Sequence, residues 1–167
     1  MADPEIIIES YNKNWPLAFT QEKALLVKIL APWSTGNIEH VGSTSVPDLP
    51  AKPIIDIMVG VESLPQSLDA IPILEQNGYC YYPYKSDVMH WFCKPSPEVR
   101  THHVHLVPFE SPLWQERIGF REILRKDSKI RQEYAQLKYQ LAERFPTDRE
   151  QYTQNKWPFI QRVLQGA

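Results

Sequence analysis

Cysteine is scarce in this chain: 167 residues contain two, Cys80 and Cys93. They form no Cys-x-x-Cys pair, which excludes the usual redox and metal motif. Each sits in an apolar, aromatic stretch where cysteine acts as a small hydrophobe, and a reducing cytoplasm suits such thiols. Long apolar runs are missing too. None approaches the roughly 18 residues that span a bilayer, and no basic-then-apolar leader opens the chain, so neither membrane insertion nor secretion is expected. An excess of one charge is also lacking. Eighteen basic and 20 acidic residues leave a formal charge of −2, which gives no broad electrostatic reason to expect nucleic acid or an anionic membrane as partner. Any basic site must be local. Internal repeats, low-complexity tracts and linkers are absent, and the length suffices for one sizeable core. The expectation is a single domain over 1–167, sheet-bearing over about 1–109 and helical over about 110–167.

Fifteen prolines punctuate what is present, and the apolar period changes between them. Residues 6–8 read as a short opening strand. Asn14 is placed to cap a helix with Pro16 in its first turn and Phe19, Leu25, Leu26, Ile29 and Leu30 along it, stopped by Pro32. A strand over 38–41 follows. Residues 54–61 are almost continuously apolar, as in a strand buried on both faces. Ser63 and Pro65 open a helix carrying Leu64, Leu68, Ile71 and Leu74, with Pro72 arguing for a break and Asn77-Gly78 closing it. Strands are expected over 79–84, 88–94 and 100–107. Beyond Ser111-Pro112, a cap and first turn, helices dominate. Ile130, Tyr134, Leu137 and Leu141 form an apolar stripe, and a capping-box-like start at 148–151 opens a terminal helix that Pro158 should kink.

The densest chemistry lies in residues 39–57, EHVGSTSVPDLPAKPIIDI. Gly42 lets backbone approach an anion closely, the amides of Ser43, Thr44 and Ser45 are possible donors to phosphate, and Asp56 is a possible metal ligand opposite them. A plain strand-to-helix turn capped by Ser43 or Thr44 has the same composition. Asp56 amid isoleucines needs a partner, which a salt bridge to Lys52 or an arginine would equally provide.

In a strand, His103 and His105 point to one face about 7 Å apart while His102 points to the other. A metal or phosphate over that face would meet both, and solvated or carbonyl-bonded imidazoles are the plainer alternative. Lys52, Arg100, Arg117, Arg121, Arg125, Lys138 and Lys156 are the basic residues for a polyphosphate clamp, although many such residues form only a solvated face. Trp91, Phe92, Tyr82 and Tyr84 are available to stack a base or to pack a core.

Residues 40–57 resemble the signature of the GrpB family, a group placed in the nucleotidyltransferase superfamily. Further blocks follow in order: 11–19, Asn77-Gly78-Tyr79, RTHHVHL at 100–106, Phe120-Arg121 with Leu124-Arg125, 134–138 and 148–156. The resemblance covers nearly the whole chain. It implies an α+β, polymerase-beta-like fold, a mixed sheet flanked by helices with a helical C-terminal portion. Gly42 and Ser43 match the turn that cradles phosphates. Two acids one residue apart on the next strand hold two magnesium ions in that superfamily, and the matching positions here are Asp56 and Met58. Methionine does not ligate magnesium. The strand for a third acid corresponds to 100–107, where His103 and His105 stand, and imidazoles suit zinc or manganese better. Asp48 stands where the family more often has glycine, and an acid there repels phosphate unless it turns outward.

The expectation is a metal-assisted transferase acting on a nucleoside triphosphate and a small acceptor. Asp56, His103 and His105 are its catalytic residues and its ligands for one divalent metal (Mg, Mn or Zn). Gly42, Ser43, Thr44, Lys52, Arg100 and Arg121 would bind phosphate. Three alternatives stay open: a non-catalytic protein binding a nucleotide or phosphorylated metabolite, histidine acid–base chemistry on a phosphorylated substrate, and an interaction protein with a vestigial cleft. The helices beyond Ser111 should wall the site.

Overall fold

The computed structural model describes residues 3–166. Five strands form one mixed sheet in the order β1-β2-β5-β4-β3. They are β1 Ser34–Val41, β2 Ile55–Val61, β3 Cys80–Tyr82, β4 His90–Pro95 and β5 Arg100–Pro108. Only β2 and β5 run parallel; the other neighbours pair antiparallel. Five α-helices accompany them: α1 Trp15–Ile29, α2 Ala70–Gln76, α3 Pro112–Lys126, α4 Ser128–Arg144 and α5 Arg149–Gln165. This is a mixed α/β architecture. No helix among the described residues is long and apolar enough to cross a membrane.

The alternation of β2 divides the core. Ile55, Ile57, Val59 and Val61 face one layer with Leu26 of α1, Leu30 just after it, Leu74 of α2, Phe92, Val104 and Leu106. Met58 faces the other way, into a cluster with Val41, Met89, Trp91, Val107 and Trp114 of α3. Both faces of β2 are therefore covered, as its unbroken apolar run predicts. Asp56 shares the face of Met58.

Helix starts follow side-chain chemistry. Ser111 accepts the amide of Trp114 at 3.4 Å and Asp148 that of Gln151 at 3.1 Å, as their positions predict. Asp127, which the sequence reading passed over, caps α4 through Lys129 and Ile130. At α1 the expected cap differs. Asn14 makes no side-chain cap bond, and Asn12 instead accepts the Asn14 amide at 2.8 Å.

Three further expectations are corrected. Residues 6–8 form no strand: the Ile6 amide bonds to Pro146 O at 2.7 Å, its side chain packs on Leu141 and Tyr152, and only Glu9 bridges to Ala51. The helix expected from 63 to 77 divides into a 3₁₀ turn at Pro65–Ser67 and α2. Pro72 falls in the first turn of α2, where a missing N–H costs nothing. Strand β3 is shorter than its aromatic run, ending at Tyr82.

Candidate active site

Parallel pairing of β2 with β5 sets Asp56 opposite His103 and Met58 opposite His105. Because alternate residues share a face, Asp56, Met58, His103 and His105 lie together on the side of the sheet covered by α3. His103 Nδ1 lies 3.1 Å from Asp56 Oδ1, and His105 Nε2 lies 3.5 Å from the same oxygen. One donor atom from each residue falls within 4.8 Å of the others. His102 faces the opposite layer, with Nε2 3.7 Å from Glu22, as strand alternation requires.

Burial by itself would raise the Asp56 pKa, but the hydrogen bond with His103, the close approach of His105 and the charges of both rings hold it well below the usual carboxylate range. Asp56 is therefore an anion across the physiological range. Burial, then the charge of Arg117, pull the His105 pKa down to about 4, against the attraction of Asp56. A neutral imidazole beside a carboxylate is the form a divalent cation needs. The Nε2 atoms of both His103 and His105 are buried with no hydrogen-bond partner among the described residues. Two orphaned nitrogens and a carboxylate make a donor set of one oxygen and two nitrogens. That set fits zinc or manganese better than magnesium.

Arg117 weakens the fit at one point. Its Nη1 lies 3.1 Å from His105 Nδ1, and Met89 Sδ lies 3.4 Å from that nitrogen. A ring that ligates through Nε2 carries its proton on Nδ1, so the arginine must then turn its N–H elsewhere, leaving the proton to the sulfur.

The turn after β1 closes the site. Gly42 has φ 73°, and a Cβ there would strike the Asp56 carboxylate. Glycine is required both by the backbone and by the approach of the acid. Ser43 is half-buried and lies beside Tyr134 of α4. Thr44 is buried and committed elsewhere: its hydroxyl donates to Ile54 O at 2.9 Å and meets His40 Nε2 at 2.9 Å. His40 stacks on Phe19, and burial first, with Arg125 and Arg121 adding, lowers its pKa to about 4 against the pull of Asp56. It is a neutral structural histidine.

The basic residues separate into two groups. Arg121 donates to Glu39 at 2.8 Å and to His40 O at 3.0 Å, and pairs with Glu122. Arg125 donates to Ser45 O through two nitrogens. Both tie α3 to β1 and the turn, which leaves them few donors for phosphate. Arg100 lies 5.2 Å from the Trp91 ring centroid and donates Nε to Pro97 O. Lys52 sits over Tyr152 at 4.8 Å. Burial, then Arg149 and Arg100, bring its pKa down to about 8 while Asp56 opposes them.

Among the aromatics, Phe92 is wholly buried in the α1 layer, so it stacks no ligand. Trp91 lies 5.0 Å from the His103 ring, and the exposed rings of Tyr82 and Tyr84 meet its edge at 6.3 Å each. Asp48 is exposed and lines a separate cleft of about 370 Å³ with Pro50 and Arg131, so it turns away from the turn's amides. The sequence reading missed Tyr134 and Tyr152 as site residues. Tyr134 reads as a core stripe position and Tyr152 only as part of the 148–156 block, and helix packing brings them to the turn and the lysines.

The molecule is thus a mixed α/β protein with an acid and two histidines gathered on adjacent parallel strands, walled by α3–α5. Residues 5–166 match the family model described as GrpB protein, and the chain belongs to the GrpB family. It is 34% identical over 165 residues to the glutamate-rich protein GrpB of Alkalihalophilus pseudofirmus, covering 96% of this chain and 94% of that one. It is 36% identical to a UPF0157 protein of Pseudomonas aeruginosa, covering 99% of this chain and 69% of the relative. The crystal structure of conserved protein GrpB from Enterococcus faecalis superposes with a TM-score of 0.86 at 34% identity, over 96% of each chain.

Proposed function

We propose that the protein binds a nucleoside triphosphate with one divalent cation and transfers its nucleotidyl group to a small acceptor. The observation that carries this reading is the convergence of Asp56, His103 and His105, with donor atoms within 4.8 Å of one another, beside the Gly42 turn. A cation held by these three residues supplies charge neutralisation at the phosphate undergoing attack. The chain's own part is to hold and orient. Asp56 stays ionised, His105 stays neutral, and α3 covers the site with Trp114 and Arg117. Ser43, beside Tyr134, presents a hydroxyl and backbone amide at the turn. Lys52 and Arg100 neutralise the ligand's remaining charge. The exposed Tyr82 and Tyr84 rings beside Trp91 offer a flat apolar surface for a base. The resemblance to the nucleotidyltransferase pattern supports the same assignment, and the free thiols at Cys80 and Cys93 suit work in a reducing cytoplasm.

One observation favours a second reading, a nucleotide or phosphorylated-metabolite binding protein without transfer. Met58 is fully buried where the superfamily pattern has its second acid, so a two-metal mechanism has no second carboxylate on this strand. Titration of the purified protein with the four nucleoside triphosphates, each with magnesium, manganese, zinc or no metal, tests both. Metal-dependent binding lost in Asp56→Asn, together with release of pyrophosphate when candidate acceptors are added, supports transfer. Binding without any turnover supports the second reading, and no binding in any combination removes both.

A further inference from the structure

Three lysines from three separate segments meet beside this cleft without a carboxylate to neutralise them. Lys52 comes from the loop before β2, Lys138 from α4 and Lys156 from α5. Lys52 Nζ lies 4.8 Å and Lys156 Nζ 4.7 Å from the centroid of the same ring, that of the buried Tyr152. Lys138, 1% exposed, lies 5.1 Å over Tyr134 and donates to Pro50 O, one acceptor for a group with three donors. Among the described residues none of the three forms a salt bridge, whereas Lys94 and four arginines do.

Such crowding is costly. Like charges repel, and burial removes the water that would solvate them. The strain registers in all three groups. Burial, with Lys52 adding to it, brings the Lys156 pKa down to about 7, and burial, with Lys156 and Lys52 adding, holds that of Lys138 well below the usual lysine range. Asp56 draws Lys52 and Lys156 toward it, but one carboxylate already shared with two histidines leaves a surplus of positive charge. Tyr134 joins the two regions, since its ring lies under Lys138 and its side chain reaches Ser43. A simple core would fill these positions with apolar residues. Three convergent ammonium groups on aromatic faces match an anion of high charge density.

We propose that Lys52, Lys138 and Lys156, set around Tyr152 and Tyr134, form a cage for the terminal diphosphate of a phosphorylated ligand. The inference rests on the proposed cleft for the choice of phosphate, while the cage itself stands on the lysines and needs no metal. The diphosphate has two chemical sources, the tail of a nucleoside triphosphate or free inorganic pyrophosphate.

Calorimetric titration of the whole protein in EDTA, with pyrophosphate in one arm and adenosine triphosphate in the other, tests the cage. The expected result is saturable one-to-one binding, weakened at least about tenfold in Lys156→Met and in Lys52→Met and restored by Lys156→Arg. EDTA removes any divalent ion from both arms, which separates failure of the cage from failure of the metal site. Equal affinity for the two probes assigns the cage to pyrophosphate itself, and tighter binding of the triphosphate assigns it to a nucleotide tail; either supports the proposal. Both variants are expected to keep their fold, read by thermal unfolding in the same samples. Absence of binding of both probes to the unaltered protein overturns the cage, as does binding that neither lysine variant weakens.

Discussion

Replacing Lys156 by methionine should stabilise the protein, and by an amount that depends on pH. Burial first, with Lys52 adding to it, lowers the Lys156 pKa from 10.5 to about 7, while Asp56 pulls the other way. A lysine whose folded pKa lies below its unfolded value binds fewer protons when folded. The folded state therefore carries a penalty that is complete below about pH 7 and gone above 10.5. Each pH unit inside that window is worth up to about 1.4 kcal/mol. The penalty at pH 7 is then at most about 4 kcal/mol, and solvent contact of a partly exposed side chain halves it to about 2 kcal/mol. For a chain of this size each kcal/mol moves Tm by roughly 2–4 °C. Lys156→Met, which keeps length and flexibility, should raise Tm by roughly 4–8 °C near pH 7 and by only about 1–2 °C near pH 10. Scanning calorimetry of both proteins in phosphate-free buffers across that range reads the difference. An equal shift at both ends of the range, or a lower Tm for the variant, would refute the reasoning, because the ammonium would then have a partner that satisfies it.

The remaining predictions concern the turn and α3. Gly42→Ala should lose about 1–2 kcal/mol in urea unfolding, since alanine is strained at φ 73°, and should weaken metal binding more than tenfold by displacing Asp56; unchanged metal affinity would contradict the packing of the acid on the glycine. Arg117→Met should tighten zinc or manganese binding by about tenfold, because a positive charge 3.1 Å from His105 Nδ1 opposes a cation on the same ring; a competition titration with a chromophoric chelator measures it, and weaker binding would make Arg117 a support for the ligand. Arg121→Met should cost about 1–3 kcal/mol in stability through loss of its bonds to Glu39 and His40 O, and leave pyrophosphate affinity unchanged in the calorimeter. A loss of affinity there would return Arg121 to the phosphate site.

Local chemistry carried much of this structure. The continuous apolar run of β2, the alternation that sends His103 and His105 to one face and His102 to the other, and the caps at Ser111 and Asp148 each follow from residues adjacent in the chain. What escaped depends on contacts distant in sequence. Arg121 carries the right group for phosphate, but Glu39, 82 residues away, takes it up, as Ile54 O, 10 residues from Thr44, takes up that residue's hydroxyl. Ile6 has strand propensity, yet the loop between α4 and α5 supplies its partner. The lysine cage was half legible: Lys52, Lys138 and Lys156 stood among seven basic candidates, but nothing in their spacing distinguishes them from a solvated face. Their meeting is a product of how α4 and α5 pack on α3 and on each other. Met58, by contrast, was readable at once as a residue that cannot replace an acid, and its complete burial follows from its place on β2.

The most direct test of the central claim is a calorimetric titration of the purified protein with zinc and manganese, alone and with each nucleoside triphosphate, beside Asp56→Asn. The account predicts one divalent ion per chain, nucleotide affinity that rises when the ion is present, and loss of both effects in the variant while its Tm stays near that of the unaltered protein. Metal and nucleotide binding that Asp56→Asn leaves intact, or no binding of either to the unaltered chain, would contradict it.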